Sequence, residues 1–418
     1  MSILVLPFIF LNLVVVSSLL FHPGALLKDT GGNIIRAHQP HVYNYSQGQG
    51  VHEVTSGHCK SAALLTSAAE CQAAAKVLGL GGTVDIFTDH VSPPACSWYN
   101  YNGGPYLAFN MNKASPTACS DGITYPDARC LCVDSAQNDT KYYLLGSSQV
   151  GASAGTQGIV NLYTSTDLHS WQFEGGIYNH SGDSRPSLLG RNPRTGLYVL
   201  WAKGGRSFQS ATSTSLAGPY LFNGSYVPEP SCTAGDSAAF LDPVSGNAYM
   251  VYSQHTCSGE TNRAMKLLLL NDEWTAPASG SKGKPTSTVA GHLEAPCPFY
   301  SKLTQKHYIW CSHTSGWKPN AAELLVSDNG MSGPWNSLGN PSNNHTTFGT
   351  QGSHIEKLPD FLNPPGVERF LYVGDRYEPY IKTKEGSRYI FLAMEVHADG
   401  KVVLFEDRPW GLDDWPTI

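Results

Sequence analysis

Five short runs rich in tyrosine and aliphatic residues recur along a chain of 418 residues. They predict an all-β fold, a five-bladed β-propeller with a small cysteine-rich insertion, α/β or irregular, in blade 1. The runs are KYYLLGSS, GLYVLWAK, NAYMVYSQ, KHYIWCSH and RFLYVGDR. Their anchoring residues Tyr143, Tyr198, Tyr249, Tyr308 and Tyr372 lie 55, 51, 59 and 64 residues apart, enough for several short strands each. Composition agrees: 14% of residues are charged and 11% aromatic, and 42 Gly with 27 Pro favour turns over helix interiors. A β-sandwich is the competing architecture, but sandwiches rarely repeat with so long a period.

Within each unit a polar residue precedes a short apolar run and then the tyrosine strand. Ser184-Arg185-Pro186 begins 14 residues before Tyr198, Asp236 lies 13 before Tyr249, and Glu294 lies 14 before Tyr308. The apolar runs PSLLG, SAAFL and APCPFY are the expected innermost strands, and the fifth unit offers FGTQGSHIEKL with Gln351. Turns such as PRTG and PVSG punctuate the hairpins, and AGPYLF and SGPWNS occupy matching places further out. In a propeller all innermost strands start at one end of the central channel, so these residues converge on one site.

The first unit is interrupted. AHQPHVYNY, residues 37–45, reads as its innermost strand, yet Tyr143 stands 105 residues beyond His38. The surplus holds Cys59, Cys71, Cys96, Cys119, Cys130 and Cys132, six of the ten cysteines. It also holds the one convincing helix, TSAAECQAAAKVLG, where Ser67 and Glu70 form a capping-box pattern and Gly79 a terminator. Residues 49–132 therefore read as a disulfide-stapled module, and 19–48 with 133–418 as the propeller. Zinc is the alternative, but Cys-x-Cys is poor ligand spacing. Because the module follows the innermost strand, it should leave from the face opposite the strand entrances. Cys297 with Cys311, and Cys232 with Cys257, are the expected bridges on consecutive strands.

The first 21 residues carry no charge, and residues 1–18 fit a signal peptide ending in small residues, with an uncleaved anchor as the alternative. An even cysteine count and five Asn-x-Ser/Thr sequons, at Asn44, Asn138, Asn179, Asn223 and Asn344, point the same way, to a secreted glycoprotein. No later segment is long and apolar enough to span a bilayer. A net charge of −6 argues against nucleic-acid and anionic-membrane partners. Oligomeric state is not legible.

Carboxylates gathered at a channel mouth suit glycoside hydrolysis, in which one acid protonates the leaving oxygen while another group activates water. Each residue alone also has a bland reading; Asp236 in TAGDS could cap its own turn. The ordered segments HPGALLKDTGGNIIRAH, LYTSTDLHSWQFEG, SRPSLLGRNPRTGLYVLWAK, AGDSAAFLDPVSGNAYMVY, EAPCPFY, HTSGWKPN, SGPW and FLYVGDRY resemble those of family 43 glycoside hydrolases, five-bladed propellers. They resemble most the galactan 1,3-β-galactosidase subgroup, over residues 21–45 and about 134–415. The resemblance implies inverting, exo-acting removal of terminal sugars from a galactan-type polysaccharide, with no required cofactor and a structural calcium as an option. By motif, Glu294 matches the general acid, Asp236 the carboxylate that orients and tunes it, and Gln351 a residue acting with the attacking water. His38, Arg185, Trp317, Asp375, Arg376 and Tyr377 are the candidate sugar contacts. The family's usual Asp base is absent from Ala37-His38-Gln39-Pro40, as in the subgroup.

Two departures stand out: Ser184 occupies the subgroup's Glu position, with Asp183 adjacent, and Gln39-Pro40 replaces a Gly-Gly pair. A glycan-binding propeller without hydrolysis is therefore the second reading. STDLHSW resembles a sialidase Asp-box but is one residue short, and no arginine triad accompanies it. A purely structural or protein-binding role, carried by the insertion, is a further alternative.

Overall fold

The computed structural model describes residues 27–46, 51–54, 59, 64–65, 68–77, 80–101, 104–112, 114–119, 128–133, 140–148, 157–181, 185–205, 207–227, 233–255, 264–279, 286–315, 318–376, 388–406, 410–412 and 415–416. Within them the chain is all-β apart from one α-helix and short 3-10 turns. Strand β1 (His38–Ser46) is followed by β2 (Val51–Val54), α1 (Ala68–Val77), β3 (Val84–Phe87), β4 (Ala95–Tyr101), β5 (Gly104–Asn110) and β6 (Arg129–Val133). Strands β7 (Thr140–Ser147), β8 (Gln157–Ser165) and β9 (Gln172–Ser181) then return to β1, giving sheet I in the order β1-β7-β8-β9. Sheet II is β10 (Ser187–Arg191), β11 (Tyr198–Gly204), β12 (Ser207–Ser213) and β13 (Leu221–Tyr226). Sheet III is β14 (Thr233–Leu241), β15 (Ala248–His255), β16 (Ala264–Leu269) and β17 (Ser287–Gly291). Sheet IV is β18 (Leu293–Ser301), β19 (Lys306–His313), β20 (Ala322–Ser327) and β21 (Asn336–Ser337). Sheet V is β22 (Gln351–Lys357), β23 (Val367–Arg376), β24 (Arg388–His397) and β25 (Val402–Leu404).

All five are antiparallel meanders of four strands, and the anchoring tyrosines fall on the second strand of each. The turns have the local chemistry their sequences promised. Asn192 and Asp242 accept bonds from the backbone two and three residues on, and Gly196 and Gly246 take the left-handed conformation, at φ 70° and 73°. The Asp167 carboxylate of STDLHSW does the same for the β8–β9 turn, accepting from the His169 and Ser170 amides.

The sheets pack face to face in a ring, with a separate apolar cluster at each junction. Leu145, Val160, Leu188 and Leu200 join sheets I and II; Trp201, Phe208, Met250 and Tyr252 join II and III. Val251, Leu267, Ile309 and Leu325 join III and IV, and Phe299, Trp310, Phe370 and Tyr372 join IV and V. Val42, Tyr142, Leu371 and Phe391 close V onto I, with Trp410 and Trp415 from the last described segment sealing that junction. A strand whose two faces both meet a neighbouring sheet must be apolar on both, which is why the tyrosine runs hardly alternate. This is the cyclic, face-to-face packing of a β-propeller.

Between the paired strands β1 and β7 the chain builds a separate sheet, in the order β2-β6-β4-β5-β3, antiparallel except where β3 lies beside β5. Its core is its own: Leu65, Ala74, Ala75, Leu107, Phe109 and Leu131 around α1 and the Cys71–Cys96 bridge. Cys59–Cys132 and Cys119–Cys130 complete three disulfides within this segment. It joins the ring at the Ser46–Thr140 end of the β1–β7 pair, away from His38, which pairs with Ser147. The helix falls within the predicted segment; Ser67 and Gly79, its expected cap and terminator, lie outside the described residues.

The expected Cys297–Cys311 bridge is not formed; both thiols are free and buried. Cys297 stands opposite Trp310 in the β18–β19 ladder, so Cys311, one residue on, points to the other face. Cys297 accordingly packs between sheets IV and V and Cys311 between III and IV. Cys232 and Cys257 lie outside the described residues.

Candidate active site

Each first strand carries one extra residue relative to its partner. The register shifts fall between His38 and His41, Leu188 and Gly190, Ala234 and Ser237, Glu294 and Cys297, and Gly352 and His354. Such bulges re-aim the side chains beside them and break the ladder locally. They also account for two of the prolines in inner strands: Pro40 and Pro296 sit in the bulges, where no ladder amide is required. Gln39 and Ala295, beside those prolines, are held left-handed at φ 51° and 53°, conformations that cost a non-glycine residue on the order of 1–3 kcal/mol. Just before β1 the backbone of Ala37 lies so close to Gly146 that a Cβ there would collide with it.

The strand entrances are linked to one another. Gln351, the first residue of β22, directs its amide nitrogen at Glu294 Oε1, 3.2 Å away, and at Ser312 Oγ, 2.9 Å away. Glu294, which as a carboxylate can only accept, sets which end of the amide is nitrogen; the Ser312 hydroxyl can pair with either end. Glu294 is buried and sits in the ladder directly opposite Ser312. Arg185, at the entrance of β10, places Nη1 3.1 Å from Asp236 Oδ2 and donates from Nη2 to the Gly352 carbonyl at 2.8 Å. That side chain is 1% exposed and Asp236 15%, so the pair is largely shielded from water. The guanidinium thus ties sheets II, III and V together beside Gln351.

Asp375 is the ladder partner of Gln351 and is fully buried. Its Oδ2 accepts from the Gln39 backbone N–H at 2.6 Å and lies 3.1 Å from His38 Nδ1. The short bond from Gln39 offsets part of the cost of its left-handed backbone. Arg376, next along, donates to the Phe348 carbonyl at 2.7 Å. It braces a turn in which Thr347, Phe348 and Gly349 are all left-handed and which delivers the chain to Gln351.

Deeper along β1 and β22, His41 is fully buried and stacks on His354 at 5.0 Å, with Nδ1 3.1 Å from Tyr43 Oη. Burial, then His354 and Arg185, push its pKa well below the ordinary histidine value. Burial likewise pushes the Cys297 thiol up to about 12, only partly relieved by Arg185. Among the described residues no cluster of three His, Cys, Asp or Glu side chains is placed to hold a metal ion.

Of the sequence candidates, Glu294, Asp236, Gln351, His38, Arg185, Asp375 and Arg376 therefore stand within one connected network. Arg185, His38 and Asp375 are buried and engaged with protein groups, not set on an open rim. Trp317, Tyr377, Ser184 and Asp183 lie outside the described residues. Sequence reasoning passed over Ser312. Its signal was a serine four residues after the anchoring tyrosine in three units, at Ser147, Ser253 and Ser312. Ser147 is the ladder partner of His38 as Ser312 is of Glu294.

Fold and site together define an all-β propeller whose inner-strand entrances converge on a buried acid, an amide and an ion pair. No family model matches the chain, and no curated protein matches it. Solved structures do. An exo-β-1,3-galactanase from Phanerochaete chrysosporium, solved with galactose, superposes with a TM-score of 0.58 at 20% identity, over 94% of this chain and 68% of that one. A GH43 β-1,3-galactosidase solved with galactodeoxynojirimycin gives a TM-score of 0.57 at 21% identity, over 94% of this chain and all of that one. An exo-β-1,3-galactanase from Clostridium thermocellum gives 0.58 at 18% identity, over 93% of this chain. The present chain spans 66% of the length of that galactanase, and 64% of another GH43 β-1,3-galactosidase. At such identities the likeness is one of fold, the same fold the ordered motifs implied.

Proposed function

We propose that the protein is a secreted glycoside hydrolase built on a five-bladed propeller, with residues 49–132 as an inserted module. In this reading it removes terminal sugars, with inversion, from the β-galactosyl linkages of a galactan-type polysaccharide. The observation that carries the reading is Glu294, a buried carboxyl group at an inner-strand entrance, held by the Gln351 amide at 3.2 Å. The protonated Glu294 gives its proton to the leaving glycosidic oxygen as water attacks the anomeric carbon from the opposite face. An amide is too weak a base to keep a proton, so Gln351 directs the water through its carbonyl oxygen, the proton that the water sheds passes to solvent, and solvent returns one to the Glu294 carboxylate to reset the acid. Asp236, charge-compensated by Arg185, fixes the local field around the acid. The solved galactanases of the same fold support the substrate class, and three disulfides support an oxidising compartment.

The test is hydrolysis of β-1,3-galactotriose and aryl β-galactosides by wild type and Glu294→Gln, with the anomer of the released sugar followed by NMR. Wild type should release the inverted anomer. The variant should lose activity on galactotriose and keep more on substrates with acidic leaving groups, which need no protonation. Release of the retained anomer, or full activity of the variant, defeats the assignment. The second reading is a propeller that binds glycans without cleaving them, favoured by the pairing of Asp236 with Arg185 and the missing carboxylate at residues 37–40. Calorimetric binding of galactotriose by a wild type that releases no sugar would select it.

A further inference from the structure

Ser312 meets Glu294 across the β18–β19 ladder and reaches over to the adjoining sheet, where its hydroxyl accepts from the Gln351 amide at 2.9 Å. The same amide nitrogen donates to Glu294 at 3.2 Å, so its two hydrogens are aimed at two groups of sheet IV. We propose that Ser312 is a positioning residue of the hydrolytic site, the constant anchor that holds Gln351 in place while Glu294 changes protonation state. The proposal rests on the glycosidase reading above.

The physical need is specific. The last torsion of a glutamine side chain is broad and nearly two-fold, so an amide with one partner swings and flips at little cost. Glu294 cannot be that partner throughout a turnover. As a carboxylate it accepts strongly from the amide; as the acid it accepts more weakly and must keep its own proton for the leaving oxygen. Ser312 is neutral in both states and keeps its contact through each. It is also 7% exposed, mid-ladder between Glu294 and Ala322, with one side-chain torsion and little freedom to lose. Ser312 keeps the amide from swinging away from sheet IV, and while Glu294 holds the nitrogen end the carbonyl oxygen of Gln351 is turned the other way, as directing a water requires.

The experiment is a double-mutant cycle on galactotriose hydrolysis with Ser312→Ala, Gln351→Ala and both together, accompanied by thermal melts. Ser312→Ala should lower kcat roughly tenfold to a hundredfold while KM changes little, the size expected from loosening a positioned group. In the Gln351→Ala background the same change should add almost nothing, since the anchored group is gone. Ser312→Thr, which keeps the hydroxyl, should recover most of kcat. Ser312→Cys, near in size but a weak acceptor, should repeat the loss if Ser312→Ala melts early. Wild-type kcat in Ser312→Ala, or losses that multiply in the double variant, overturns the role of Ser312 while Glu294→Gln still tests the hydrolase reading separately. A wild type that cleaves no β-galactoside overturns both.

Discussion

Arg185 and Asp236 meet at 3.1 Å, and the same guanidinium donates to the Gly352 carbonyl at 2.8 Å. One cation therefore joins the entrances of three sheets at the point where the proposed chemistry is placed. Removing it strands a largely buried carboxylate beside a carbonyl that loses its donor. Arg185→Leu should cost about 3 kcal/mol of unfolding free energy in urea titrations, tempered by the residual exposure of Asp236. Arg185→Lys keeps the charge but cannot reach both partners with a rigid fork, and should recover only part. A loss below about 0.5 kcal/mol for Arg185→Leu would mean that the pair is dispensable.

Acid should weaken the fold through His41. Burial, with His354 and Arg185 alongside, depresses its folded pKa well below the ordinary 6.5, so the unfolded chain binds this proton more readily than the folded one. Its contribution is complete above about pH 6.5 and is lost as pH falls from there toward the folded pKa, at up to about 1.4 kcal/mol per pH unit. His41→Asn cannot take up the proton. Its stability, followed by denaturant midpoints between pH 7 and 5, should fall less steeply than that of wild type. Parallel curves would refute the assignment.

The cysteines should divide into two chemical populations. Peptide mapping under non-reducing conditions should find Cys59–Cys132, Cys71–Cys96 and Cys119–Cys130 linked and Cys297 and Cys311 unlinked. The two free thiols should resist alkylation until the protein is denatured, because both are buried and their thiolates are disfavoured. Replacing the Cys71–Cys96 pair with alanines should cost the inserted sheet about 3 kcal/mol, as closing a loop of this size suggests. A Cys297–Cys311 linkage, or rapid labelling of either in the native protein, would contradict the register of β18 against β19.

Much of this was readable in the residues. The tyrosine runs fell on the second strands β7, β11, β15, β19 and β23, and His38, Asp236, Glu294 and Gln351 on the first strands of their sheets. Strand length, turn chemistry at Asn192 and Asp242, and a repeat of about one sheet are local or periodic properties, so a single sequence displays them. The network was less accessible. Side-chain alternation fixes faces only if register is regular, and one extra residue in each first strand changes it. That is how Cys297 and Cys311, on adjacent strands, came to face different neighbours.

By itself, then, the sequence determined an all-β repeat, an interruption after the first inner strand, and a set of polar residues at or near the starts of the first strands of their sheets. Tertiary structure alone decided which of them touch: Gln351 with Glu294 and Ser312, Arg185 with Asp236, Asp375 with His38. The reason is physical. Repetition is written along the chain, whereas hydrogen-bond partners separated by 39 to more than 300 residues depend on bulge positions and ring closure. Those follow from the packing of all five sheets at once.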